Sequence, residues 1–140
     1  MMNIPYVGSG VGGGMCGMDK DIMRTLFKAE GLPLLPWLSF EREDWEKNEQ
    51  ELIHRINDRI PFPLFVKPAN LGSSVGISKA LNPEELKKSI RLALQYDNKV
   101  IVEEGRKVRE IECAILGNEN CRASVPGEII PGADFYDYED

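Results

Sequence analysis

Lys67, Lys79 and the glycine-serine stretch between them are the residues of this chain whose types and spacing suit chemistry on an anion. Leu64-Phe65-Val66-Lys67-Pro68, then Gly72-Ser73-Ser74-Val75-Gly76, then Ile77-Ser78-Lys79 reads as strand, loop, strand. Pro68 has no N–H, so ladder pairing is expected to end beside Lys67 and to leave its ammonium near a strand end. Gly72 and Gly76 let the backbone approach a ligand closely. The N–H donors of the loop and the hydroxyls of Ser73 and Ser74 suit a phosphate. On these residues alone two readings stay open. One is an anion cradle between strands; the other is an ordinary hairpin loop with surface lysines, since short Gly/Ser loops commonly join strands.

Other candidate groups carry less. Glu103 and Glu104 are adjacent carboxylates at the end of an apolar run, and neighbours on a strand point to opposite faces, so together they are poor chelators. Cys16, Cys113 and Cys121 are odd in number, lack C-x-x-C spacing and read as reduced thiols of a cytosolic protein. With His54 the single histidine, no metal site is expected, and His54 reads as a surface residue. Gly8-Ser9-Gly10-Val11-Gly12-Gly13 satisfies G-x-G-x-x-G, but the position about 20 residues on, where a dinucleotide fold needs an acid at a strand end, is Glu30 at a helix end. A flexible link into a helix is the better reading.

The elements that must position these groups follow from periodicity. Residues 4–7 look like a short strand, and Gly12, Gly13, Gly14 and Gly17 are expected to delay the next helix to about Met18. Residues 19–30 then form a helix with Ile22, Met23, Leu26 and Phe27 on its packing face, stopped by Gly31 and Pro33. Residues 34–40 are extended, with Trp37 as packing. A second helix is expected over residues 43–60, with Trp45, Leu52, Ile56 and Ile60 at helical spacing and Pro61 behind it. Asn82 and Pro83 read as N-cap and first position of a third, with Leu86, Ile90 and Ala93 buried. Strands are expected at 99–104, 110–116 and 123–130, with a bulge or edge at Pro126-Gly127. This order predicts an α+β fold: a mostly antiparallel sheet with helices packed on one face.

Composition narrows the class. A net charge of −6 argues against a general nucleic-acid binder. No apolar run reaches about 18 residues, so no membrane helix is expected, and the first residues do not look like a signal peptide.

The string Phe65-Val66-Lys67-Pro68-Ala69-Asn70-Leu71-Gly72-Ser73-Ser74-Val75-Gly76-Ile77-Ser78-Lys79 strongly resembles the central domain of D-alanine–D-alanine ligases, members of the ATP-grasp superfamily. Further matches follow in order. They are Ile4-Pro5-Tyr6-Val7-Gly8-Ser9-Gly10-Val11, Met18-Asp19-Lys20, Gly31-Leu32-Pro33 with Pro36-Trp37, the run from Lys99 to Glu104, the run from Arg109 to Asn118, and Phe135-Tyr136-Asp137-Tyr138-Glu139. They cover nearly the whole chain. Gly12, Gly13, Gly14 and Gly17 depart from the family, which usually has Ala, Ser or Leu there.

The resemblance implies an ATP-grasp ATP-binding subdomain. Residues 1–33 would be a junction from an N-terminal domain, including the Lys20 helix, and residues 34–140 the first half of the ATP-grasp domain, ending within the active-site loop. It implies that Lys20 and Lys67 contact ATP phosphates and that Gly72, Ser73, Ser74, Val75 and Gly76 close over the γ-phosphate, with Ser73 and Ser74 at the chemistry. It implies Glu103, Glu104 and neighbouring backbone at the adenine, and Glu110 at the ribose. Tyr136 and Tyr138 would lie in the capping loop, whose string is closer to enzymes making D-alanyl-D-alanine than to those making D-alanyl-D-lactate. The implied function is activation of D-alanine as an acyl phosphate and its joining to a second D-alanine for peptidoglycan precursors, by a cytoplasmic homodimer using ATP with Mg2+ or Mn2+. The family's metal-binding and substrate-binding residues from its other domains have no counterpart here. The 140 residues are therefore expected to be an internal piece, inactive alone, with a stand-alone nucleotide-binding module as the competing reading.

Overall fold

Apolar residues alternate with polar ones along four segments, and this period of two builds the sheet that carries the loop. In the computed structural model, which describes residues 4–130, the chain divides into two compact units, Met1–Gly105 and Arg106–Asp140. In the first, strands β1 (Trp37–Glu41), β2 (Leu64–Pro68), β3 (Ser78–Ala80) and β4 (Lys99–Glu104) form one antiparallel sheet in the order β1-β4-β2-β3. Leu38, Phe40, Leu64, Val66, Ala80, Val100 and Val102 all point to one face and are buried there. Helices α3 (Arg42–Lys47), α4 (Glu49–Asn57) and α5 (Pro83–Ala93) cover that face with Trp45, Leu52, Ile53, Ile56, Leu86, Ile90 and Ala93. The α+β arrangement is the expected one. Asn82 caps α5 by accepting from the Glu85 N–H at 2.9 Å, and Pro83 follows at the first helical position.

The opposite face carries the charged groups, set among three apolar side chains. Register places Trp37, Ser39, Lys99, Ile101, Glu103, Phe65 and Lys67 on it together. Helix α2 (Lys20–Ala29) is tied to it by charge. This corrects the expected packing face of α2: Ile22, Leu26 and Phe27 are exposed, and no residue of the helix is fully buried. The sheet offers ammonium and carboxylate groups here, so the helix turns Lys20, Asp21 and Arg24 toward it instead.

Other expectations are also corrected. Residues 4–7 form no strand, and no described strand pairs with them. Helix α1 (Val11–Met18) begins at the glycines rather than after them, capped by Gly10 and burying nothing. The single helix over residues 43–60 is broken at Asn48, whose side chain accepts from the Glu51 N–H at 3.2 Å and so starts α4 afresh. A short amide side chain competing for backbone groups is the reason.

In the second unit, β5 (Glu110–Glu112) pairs with β8 (Gly127–Ile129), and β6 (Ile115–Leu116) pairs with β7 (Arg122–Ala123), both antiparallel. The strands expected over 110–116 and 123–130 are each interrupted. Glu112 faces Gly127 and Ile115 faces Ala123, so two residues on one arm stand opposite three on the other. That extra residue is a bulge, as Pro126 suggests. Ser124 Oγ fills part of the gap by accepting from the Ala114 N–H at 3.0 Å. Among the described residues no helix is long and apolar enough to cross a membrane.

Ile56, fully buried, joins α4 to the sheet. Ile56→Ala is expected to cost about 2–5 kcal/mol of stability, read from the denaturation midpoint in urea; a loss below about 1 kcal/mol would contradict this core.

Candidate functional site

The loop between β2 and β3 is locally strained and is held by its own hydrogen bonds and tight packing. Ser73 (φ 49°), Ser74 (φ 57°) and Gly76 (φ 71°) all lie in the left-handed region. For the serines this costs roughly 1–2 kcal/mol each, and such strain gathers where a loop must present its backbone in one way. Gly72 O accepts from the Val75 N–H at 3.2 Å, and Ser74 O from the Ile77 N–H at 3.1 Å. A Cβ at Gly76 would lie 2.7 Å from Tyr96 Cδ2 and 2.8 Å from Pro68 Cγ, so position 76 has neither the dihedral nor the room for a side chain.

The segment entering the loop is fixed from outside. Asp97 Oδ2 accepts from the Asn70 N–H at 2.8 Å and from Asn70 Nδ2 at 2.9 Å. Burial raises the Asp97 carboxyl, but these hydrogen bonds and those from the Lys99 and Asn98 backbone outweigh it and hold it below the usual carboxylate range.

Lys20 meets the same segment. Its backbone N–H donates to Ala69 O at 3.0 Å. Its ammonium donates to Pro68 O and Ala69 O, each at 3.3 Å, and to Leu71 O. Burial, followed by the charge of Lys67, lowers its pKa. Asp19 sets this placement: its Oδ1 accepts from the Asp21 N–H at 2.9 Å and the Ile22 N–H at 3.1 Å, capping α2, while its Oδ2 pairs with Lys99 Nζ at 3.1 Å.

On β4, Glu103 is 5% exposed. Its Oε1 pairs with Lys67 Nζ and its Oε2 with Arg24 Nη2. Arg24 and Lys28 lie over the Trp37 ring, 5.9 and 5.5 Å from its centroid. Trp37 Nε1 donates to Asp21 Oδ1 at 2.9 Å, and Lys99 Nζ reaches Asp21 Oδ2 at 2.9 Å. Burial pushes the Asp21 carboxyl up, but bonds from Trp37, Lys99 and Ser39 outweigh it and hold it low. Burial likewise opposes the charge of Lys99, yet Asp21 and Asp19 raise its pKa overall.

The structure thus brings Lys20, Lys67, Glu103 and the 68–71 segment that leads into the loop together. Glu104 follows Glu103 on the strand and is buried, with its N–H donating to Pro36 O at 3.0 Å. Lys79 is exposed on β3, opposite Phe65. Glu110 stands on β5 opposite Ile129, in the second unit. Tyr136 and Tyr138 lie outside the described residues. His54 is a surface residue, 3.2 Å from Asp58. The described residues contain no cluster of three or more metal-ligating side chains, and the cysteines are free. Sequence reasoning missed Arg24, Asp21 and Lys99. Arg24 had one sequence signal, the four-residue spacing of Lys20, Arg24 and Lys28 along a helix.

Among solved structures, the chain is similar to the D-alanine–D-alanine ligase of Coxiella burnetii, with a TM-score of 0.77 and 39% identity over 91% of this chain and 37% of that one. It is also similar to the VanG D-Ala:D-Ser ligase of Enterococcus faecalis, with a TM-score of 0.76 and 36% identity over 86% of this chain and 34% of that one. The antiparallel sheet with its helices is therefore an ATP-grasp fold. The family model described as "D-ala D-ala ligase C-terminus" matches residues 26–140. The D-alanine–D-alanine ligase of Heliobacterium modesticaldum is 54% identical over 98% of this chain and 37% of its own length; that of Staphylococcus epidermidis is 50% identical over 99% and 39%. The chain belongs to the D-alanine–D-alanine ligase family, and it spans between 37% and 39% of the length of these relatives.

The Asp21–Lys99 contact has a defined pH window. A carboxyl depressed in the folded state adds stability above its unfolded pKa of about 4, and that stability is lost as pH falls through the folded value. Asp21→Asn is expected to lower the thermal midpoint at pH 7, with the gap to wild type closing below about pH 4. A gap of constant size from pH 7 to pH 3 would contradict this role.

Proposed function

We propose that this chain carries the phosphate-binding half of the ATP site of a ligase that activates D-alanine as an acyl phosphate and joins it to a second D-alanine. The carrying observation is the convergence of Lys20, from the start of α2, and Lys67, from the end of β2, beside the segment that enters the glycine-serine loop. Burial first, and then the charge of Lys67, lowers the Lys20 pKa, and an anion between the two ammonium groups removes the repulsive part of that cost. ATP supplies the phosphoryl group that turns a carboxylate into an acyl phosphate.

In this reading Lys20 and Lys67 neutralise phosphate charge. Gly72, Ser73, Ser74, Val75 and Gly76 present backbone donors and hydroxyls toward the transferring group, and the turn bonds from Val75 and Ile77 hold that backbone ready. Family resemblance assigns Glu103 and the neighbouring backbone, that of Glu104 included, to the adenine, and Glu110 to the ribose hydroxyls. The described carboxylates do not fit a divalent metal: Glu103 already bridges two cations, Asp19 and Asp21 are bound to Lys99, and none of them clusters in threes. Ligands for Mg2+ or Mn2+ belong to other parts of the full-length protein. The same reading makes that protein a cytoplasmic homodimer serving peptidoglycan synthesis.

Lys67→Ala in the full-length protein is expected to weaken ATP binding. A lost charge-assisted hydrogen bond costs about 1.5–3 kcal/mol, or roughly 10- to 100-fold in affinity. Unchanged affinity by calorimetry would leave Lys67 a strand-end lysine and remove the basis of the reading.

A further inference from the structure

We infer that Arg24 is a positioning residue that frees Lys67 for phosphate, by taking over the buried charge of Glu103. The inference rests on the ATP-site reading above and concerns a residue outside the loop and lysine pair.

Lys67 has two claims on its ammonium. It pairs with Glu103 Oε1 on the charged face of the sheet. Phosphate binding draws it toward the loop instead. Glu103 is 5% exposed, and a carboxylate that far from water cannot be left without a counter-charge. Were Lys67 its sole partner, each phosphate contact would be made at the expense of that pair. Arg24 removes the conflict, because Nη2 holds the other oxygen, Oε2.

The guanidinium is built to stay. It is largely buried, lies over the Trp37 ring, and comes from the same helix that delivers Lys20. A guanidinium's planar fork of donors also suits a carboxylate better than a single ammonium does. Its Nε is buried and has no hydrogen-bond partner among the described residues, so the group keeps a donor for a shifted carboxylate. Lys67, by contrast, sits on a flexible stem at a strand end, and an ammonium has three rotatable donors. The pair divides the work: Arg24 is the fixed counter-ion, and Lys67 is the one that moves.

The test is a double-mutant cycle in the full-length protein, with ATP and adenosine affinities measured by calorimetry and competition. Arg24→Met is expected to weaken ATP about tenfold while leaving adenosine, which has no phosphate, within about twofold of its wild-type affinity. The ATP loss is expected to disappear when Arg24→Met is made on Glu103→Gln, since no buried charge then holds Lys67; this pair also tests whether a folding defect is responsible. Equal loss for ATP and adenosine would make Arg24 merely structural and overturn the inference. So would a loss that persists on Glu103→Gln, or no loss at all. A wild-type protein that binds no ATP would overturn the functional reading and this inference together, whereas wild-type binding with an unaffected Arg24→Met would overturn this inference alone.

Discussion

Glu103 is a carboxylate held almost wholly away from water on the charged face of a sheet. The effective penalty for such an ion is several kcal/mol unless it is paired with good geometry. That one constraint organises the site. It demands Lys67 from the neighbouring strand and Arg24 from α2, and so it binds a helix to this face of the sheet by charge. With α2 anchored, Lys20 at its first turn is brought against Pro68, Ala69 and Leu71, where the loop begins. Asp19, Asp21, Lys99 and Trp37 repeat the arrangement one step along, so the layer between helix and sheet is an ion network in place of a second core.

The two faces of the sheet divide an apolar core from an ion network. The apolar face, under α3, α4 and α5, holds the strands in register. Because register alternates side chains strictly between faces, fixing Val66 and Val102 inward also fixes Lys67 and Glu103 outward. The glycine-serine loop closes the same construction at its end, with Gly76 wedged between Tyr96 and Pro68.

Much of this is legible in the sequence where a single strong pattern acts. Leu64 and Val66, or Leu86, Ile90 and Ala93 after Asn82-Pro83, have one face to bury and bury it. Reading fails where two patterns compete. α2 carries both an apolar stripe, Ile22, Leu26 and Phe27, and a polar one, Asp21, Arg24 and Lys28; periodicity cannot tell which one the sheet will meet. Asn48 and Ser124 break elements by side-chain bonds to backbone, which hydrophobic spacing does not register. Lys67 stands out by its place beside the glycine-serine loop, whereas Lys20 is picked out through family resemblance, since a lysine alone signals little. Arg24 was missed because its partner lies 79 residues away in sequence, and only the folded sheet brings the two together.

The central claim is that Lys20 and Lys67 hold one phosphate group at the mouth of the loop. It is tested most directly by a crystal structure of the full-length protein with a non-hydrolysable ATP analogue. The account predicts both ammonium groups within hydrogen-bonding distance, about 2.7–3.2 Å, of phosphate oxygens, with the 72–76 backbone facing the same group. An analogue bound with either lysine still turned to its protein partners, and its phosphates away from the loop, would contradict it.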